Sequence, residues 1–262
     1  MAATIAVLSQ KGGTGKTTAV RTLTDIFRRL GLETLAVDLD PQGNLSDYFD
    51  VPPDAEPTIS DVLTGRAQAS EAITGDDVIP ANLQLAEAEL ALSGRMGREL
   101  TLKRALRDVD GAYDAVVLDC PPSLGLLTVN ALVAADHALL TAEAQYFALQ
   151  GVEQALEVIE LARDNLNPDL SWMGVVLNLA DMRTIHSREA YQSLAEAFGD
   201  KVFETTIRQS IAYAESAERA VSILDYRPDL GADYIALADE LLARLDLPEA
   251  RQRLGALELA GR

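Results

Sequence analysis

The chain has 262 residues, 48% of them hydrophobic, and a net charge of −19 at pH 7 with a pI of about 4.4. The length suits one large α/β domain or two small ones; no apolar run approaches the ~20 residues of a membrane-crossing helix, and no basic region precedes the N-terminal apolar stretch as in a secretory leader. One cysteine, Cys120, excludes an internal disulfide and makes a cytoplasmic home the default, while the acidity leaves nucleic-acid binding only to a local basic patch.

Thr4–Leu8, "TIAVL", reads as a buried parallel strand running into a glycine-rich loop. Apolar residues at helical spacing (Val20, Leu23, Ile26, Phe27, Leu30) predict a helix from Thr17 to Leu30, stopped by Gly31. "TLAVDLD" (Thr34–Asp40) is a second strand with acids at its C-terminal end. Pro57–Gly65 reads as a short capped helix, "NLQLAEA" as containing a short strand, and Arg98–Val109 as helical. Further strands are predicted at Ala115–Asp119, His137–Ala142, Trp172–Asn178 and Lys201–Ile207, with helices around Phe147–Asn165 and over Ala232–Leu245. Strands alternate with helices, so the fold class is α/β: a doubly wound, mostly parallel sheet flanked by helices. Residues 1–247 read as a single domain and 248–262 as a loosely held C-terminal tail.

In such sheets, ligands sit outside the C-terminal ends of the strands. The glycine loop "SQKGGTGKTT" (Ser9–Thr18) and the acids Asp38, Asp40 and Asp119 all fall there. A strand, a glycine turn and a helix make an anion site, because backbone N–H groups and the helix N-terminus converge on it. Gly12, Gly13 and Gly15 allow close approach to phosphate oxygens. Lys16 is placed for the β- and γ-phosphates and Thr17 for Mg²⁺, with Asp119 in the metal's outer shell. The pattern departs from G-x-x-x-x-G-K-[ST] at its start, where Gln10 replaces glycine and Lys11 follows. Two of the chain's four lysines, Lys11 and Lys16, thus share one loop. Two readings of Lys11 stay open: a solvated surface lysine, or a charge reaching the phosphates bound by a second subunit. Asp38 either joins the chemistry or braces its turn. Cys120 reads as a small core residue. His137 and His186 have no metal partners at ligand spacing. Pro121-Pro122 stiffens a loop that would respond to the γ-phosphate.

"KGGTGKTT" resembles the deviant Walker A motif of the ParA/MinD ATPases. "DLDPQGN" (Asp38–Asn44) and "LDCPPSLGLLTVNAL" (Leu118–Leu132) are similar to the ParA forms of the following motifs, and "QYFALQGV" (Gln145–Val152) and "KVFETTI" also resemble ParA/Soj sequences. The likeness runs from about residue 2 to 246. It implies a P-loop ATPase that converts ATP to ADP and phosphate, slowly when alone, and dimerises as an ATP sandwich. It implies catalytic roles for Lys11, Lys16 and Asp40, with Lys11 on the partner's phosphates, Gly12 at the dimer interface and Asp40 on the attacking water. The nucleotide set would be Lys11, Gly12, Gly13, Thr14, Gly15, Lys16, Thr17, Thr18 and Asn178, with Asn178 at the adenine; Mg²⁺ would lie among Thr17, Asp40 and Asp119.

The resemblance further implies non-specific binding to double-stranded DNA, a ParB-like activator and a nucleoid-associated place in the cytoplasm. Here the sequence departs from the family. After the last predicted strand, relatives read I-P-R, a second basic residue and L-S-E-A-P; this chain reads "TIRQSIAYAESAERAVSI" (Thr206–Ile223). Arg208 takes the proline's place, which normally lies near the base, so Arg208 joins the nucleotide candidates. Arg183, Arg208 and Arg219 are the DNA candidates, with Arg188 beside them; each is alternatively an ordinary surface arginine. The reading is a partition ATPase for chromosome or plasmid. Its alternatives are a ParA-like positioning ATPase for a protein cargo such as a microcompartment or chemoreceptor cluster, a MinD-like membrane switch, and a metabolic enzyme built on the same loop. A membrane partner is not expected, because the tail lacks an aromatic anchor.

Overall fold

The computed structural model describes residues 3–260, the side chains of 256–260 excepted. Seven strands form one parallel sheet: β1 (Ala3–Leu8), β2 (Thr34–Asp38), β3 (Val78–Ile79), β4 (Ala115–Asp119), β5 (His137–Glu143), β6 (Ser171–Ala180) and β7 (Val202–Arg208). Their order is β3-β2-β4-β1-β5-β6-β7. The helices are α1 (Lys16–Arg29), α2 (Asn44–Tyr48), α3 (Ile59–Thr64), α4 (Gln84–Ser93), α5 (Thr101–Ala105), α6 (Leu126–Ala134), α7 (Ala148–Asn165), α8 (Ile185–Phe198), α9 (Ala212–Glu218), α10 (Ile223–Tyr226), α11 (Pro228–Arg244) and α12 (Pro248–Ala260).

Continuous apolar strands need cover on both faces, and the core divides accordingly. Ala6 and Leu8 of β1 join one cluster with α3 to α8, while Ile5 and Val7 join the other with α1, α2 and α9 to α12. The same alternation runs through β2, where Leu35 and Val37 face one way and Ala36 the other. Because every strand is parallel and β1 is central, the loop after Leu8 emerges between the ends of β4 and β5. Asp38 and Asp119 are register partners on the neighbouring pair.

The structure corrects several expectations. The strand read in "NLQLAEA" is the start of helix α4, and the short strand β3 lies before it. The segment is made of strong helix formers, and it buries Leu85, Ala88 and Leu92 on one helical face. Arg98–Val109 is helical only in pieces, with α5 between 3₁₀ turns at Arg98–Leu100 and Leu106–Asp108. Much of the stretch read as a loose tail is helix α12. Ala250 and Leu254 are buried in the core, and Arg253 donates to the Leu30 carbonyl at 2.6 Å. The predicted helix over 232–245 starts earlier, at Pro228, whose missing N–H suits a first turn.

Candidate active site

Gly15 enters α1 with φ +80, and a Cβ built there would sit 2.8 Å from Asn178 Nδ2. Only glycine fits both that dihedral and that approach. In return, Asn178 Nδ2 donates to the Thr14 carbonyl at 2.8 Å, tying the loop to the end of β6. A hydroxyl chain ties its other side to β5, with Ser9 Oγ 2.8 Å from Thr14 Oγ1 and Thr14 Oγ1 3.0 Å from Thr141 Oγ1. Ser9 also donates to the Lys11 carbonyl at 2.7 Å.

The two lysines of the loop part company. Lys16 is buried; its Nζ donates to Ser9 Oγ at 3.0 Å and to the Lys11 carbonyl at 3.1 Å. Burial pushes its pKa down, against the opposing pull of Asp119, Cys120 and Asp40. Lys11 is exposed, and its Nζ stands 5.5 Å from the centroid of the Phe147 ring at the start of α7.

A cleft of about 690 Å³ opens over the loop. Gly12, Gly13, Gly15, Lys16, Thr17, Thr18, Asp40 and Asn178 line it, and so do Tyr48, Tyr213 and Tyr234. The cleft therefore gathers most of the expected nucleotide set. Lys11 and Thr14 face a smaller groove on the other side, toward Phe147. Arg208 is not among the cleft residues: its guanidinium pairs with Asp233 at 2.8 Å and contacts the Asp229 carbonyl. The tyrosines carried no motif, and only burial beside the loop reveals them.

The acids divide by role. Thr17 Oγ1 donates to Asp119 Oδ2 at 2.8 Å, and Asp119 Oδ1 is buried with no partner. Burial and then the neighbouring Asp38 push the Asp119 carboxyl well up. Asp38 braces its turn: Oδ1 accepts from the Asp40 N–H, and Oδ2 from both the N–H and the hydroxyl of Ser46. Its pKa is raised to about 6, chiefly by burial. Asp40 lines the cleft, with Oδ1 accepting from the Gln42 N–H at 3.0 Å. Pro122 packs 3.7 Å from the Cβ position of Gly12, which puts the Pro121-Pro122 loop beside the phosphate loop. Cys120 is fully buried, its thiol pushed up by that burial.

Among the described residues no cluster of three or more His, Cys, Asp or Glu side chains is arranged to hold a metal. Thr17 with Asp119 and its unpartnered oxygen does fit a Mg²⁺ ion, which takes few protein ligands and completes its shell with water and substrate phosphates. Arg183 lies beyond the end of β6, its side chain 91% exposed and paired with Asp181 at 2.8 Å. Arg188 donates to the Met182 and Arg183 carbonyls, and the Arg219 guanidinium lies 5.3 Å from the Tyr226 ring.

The family described as "AAA domain" matches residues 2–172. The sporulation initiation inhibitor protein Soj of Bacillus subtilis is 39% identical over 91% of this chain and 98% of its own length. The chromosome partitioning protein ParA of Caulobacter vibrioides is 36% identical over 92% of this chain and 94% of its own. A crystal structure described as cobyrinic acid a,c-diamide synthase of Mycobacterium smegmatis, with bound ADP and magnesium, is 38% identical with a TM-score of 0.76, over 84% of this chain and 91% of that one. With these relatives matched almost end to end, and the phosphate loop, strand-end acids and central β1 in place, the chain belongs to the Soj/ParA family of chromosome-partitioning ATPases.

Proposed function

We propose that the chain hydrolyses ATP within a face-to-face pair of identical subunits, binds double-stranded DNA without sequence preference in that state, and lets go when a ParB-like partner accelerates hydrolysis, so that a chromosome or plasmid is moved. The observation that carries this reading is the parting of the two lysines, with Lys16 inside the cleft and Lys11 outside it. A cation beside its own phosphate site yet outside that site's cleft supports a role toward the phosphates of another subunit.

The chain's residues then divide the work. Loop N–H groups and Lys16 hold the β- and γ-phosphates, and Thr18 and Asn178 extend the site toward the nucleoside. Thr17 and Asp119 would hold Mg²⁺, which neutralises phosphate charge. Asp40, fixed through the Gln42 N–H, orients the attacking water at the γ-phosphate. Lys11 of the second subunit stabilises charge on the leaving phosphates. Arg183, Arg208 and Arg219 take DNA phosphates, the first two from neighbouring strand ends, since Ala180 of β6 pairs with Arg208.

A MinD-like membrane switch finds less support, because it needs a free apolar face on the C-terminal helix and α12 turns Ala250 and Leu254 into the core.

The test is binding of the Asp40→Ala protein to random-sequence duplex DNA, with ATP and with ADP, across a salt series. Three arginines per subunit make six in a pair, so binding with ATP should weaken about a thousandfold or more between 50 and 200 mM salt. Absence of binding with ATP at low salt refutes the DNA arm of the proposal.

A further inference from the structure

Phe147 and Tyr146 form an exposed aromatic pair at the head of α7, 55% and 85% exposed, with their rings edge to face at 5.1 Å. Aromatic rings in water want a reason to be there. One lies on the page: the Lys11 ammonium stands over the Phe147 ring at 5.5 Å, within the range of a cation–π contact. No ion pair competes for Lys11 among the described residues. The backbone on either side is fixed as well. The Lys11 carbonyl accepts from both Ser9 and Lys16, and the Gln10 side chain donates to Gln154 of α7. The side chain of Lys11 thus rests against α7 and points into the groove lined by Phe147, Glu143 and Gln145.

We infer that Phe147 is a positioning residue for Lys11: its ring holds the ammonium within its own subunit in the resting state, and this contact is given up when Lys11 serves a second subunit. The inference rests on the pairing reading above. A contact present in the free subunit and lost in the complex weakens the complex by its own worth. An exposed cation–π contact is worth about a two- to fivefold factor in an equilibrium. Each subunit of a pair releases one such contact, so the association constant carries the factor squared, roughly four- to 25-fold.

Two measurements on the full chain test this. The first uses no nucleotide. The chain has only four lysines, so ¹³C-dimethylation gives a sparse NMR spectrum in which the Lys11 signal is identified by its loss in Lys11→Arg. The ring should shift that signal upfield in the parent and in Phe147→Tyr, and the shift should vanish in Phe147→Leu. The second is sedimentation with Mg²⁺ and a non-hydrolysable ATP analogue. Phe147→Leu should pair roughly four- to 25-fold more tightly, Phe147→Tyr should pair like the parent, and the gain should disappear in a Lys11→Ala background. ADP affinity of the single subunit should not move, because Phe147 does not line the cleft. A missing ring shift in a parent that pairs overturns the inference, and so does unchanged or weaker pairing by Phe147→Leu. A parent that shows the ring shift but stays monomeric with the analogue instead refutes the pairing reading itself.

Discussion

Replacing Gly15 by alanine probes how the loop is held open for a ligand. Two costs follow from the geometry. The residue sits at φ +80, where a side chain costs about 1–2 kcal/mol. The new methyl would also stand 2.8 Å from Asn178 Nδ2, forcing that side chain away from the Thr14 carbonyl it holds at 2.8 Å. Both groups of that hydrogen bond are buried, so losing it costs a further ~1–3 kcal/mol. Gly15→Ala should therefore lower stability by roughly 2–5 kcal/mol, read by urea unfolding, and weaken ADP binding about tenfold or more, read by calorimetry. The second cost is removable. In an Asn178→Ala background the nearest remaining atom of that side chain is Cβ at 3.9 Å, an ordinary contact. There Gly15→Ala should cost only the backbone strain, a coupling of about 1–3 kcal/mol between the two sites. If Gly15→Ala costs the same in both backgrounds, the Asn178 approach is not what demands glycine.

Three further outcomes are expected. Thr17→Ala removes the hydroxyl that partners Asp119 Oδ2 and leaves both oxygens of a buried carboxylate bare; the nucleotide-free chain should lose about 1–3 kcal/mol, and calorimetry should show that Mg²⁺ no longer strengthens ATP binding. Asp38 has a folded pKa raised to about 6 from an ordinary value near 3.8, so its contribution is present below pH 4 and lost as pH rises through 6; the nucleotide-free chain should lose stability across that window, and an Asp38→Asn variant with an equally steep pH profile would contradict the assignment. Arg183→Ala should weaken DNA binding for all sequences alike and lower the salt slope by about two per pair, whereas Asp181→Asn, which frees Arg183 from its carboxylate, should strengthen binding in the same filter or anisotropy assay.

What was legible in the sequence was local or continuous. The apolar run of β1, the glycine turn and the first helix lie side by side, and β2 and β4 are uninterrupted buried runs ending in Asp38 and Asp119. The α4 segment was misread because a short apolar run fits either period, and the helical face Leu85, Ala88, Leu92 emerges only over ten residues. α12 was misread because only Ala250 and Leu254 of its described side chains are buried, too few for a stripe. Asn178 and Thr14 stood in the expected nucleotide set and a bracing Asp38 was one of its two readings, but the contacts that support the site were not legible. Asn178 holds Thr14 across 164 positions, Thr141 holds Thr14 across 127, and Ser46 holds Asp38 from a helix that carries no signature. Spacing says nothing about such partners, because the fold alone decides which distant residues meet.

The missing first glycine of the loop now has a physical explanation. A glycine at position 10 would leave the loop's entry without a side chain to anchor it. Gln10 instead donates to Gln154, and it lies so close to α7 that a Cβ on Gly151 would meet Gln10 Oε1 at 3.3 Å. Gly151 thus leaves room on α7 for the glutamine. That contact pins the backbone at Lys11 to α7, on the side of β5 away from the cleft, while the glycines from 12 to 15 turn the chain back so that Lys16 points inward. In the pairing proposed above, this contact would keep the Lys11 backbone turned toward α7 while Lys16 serves its own cleft.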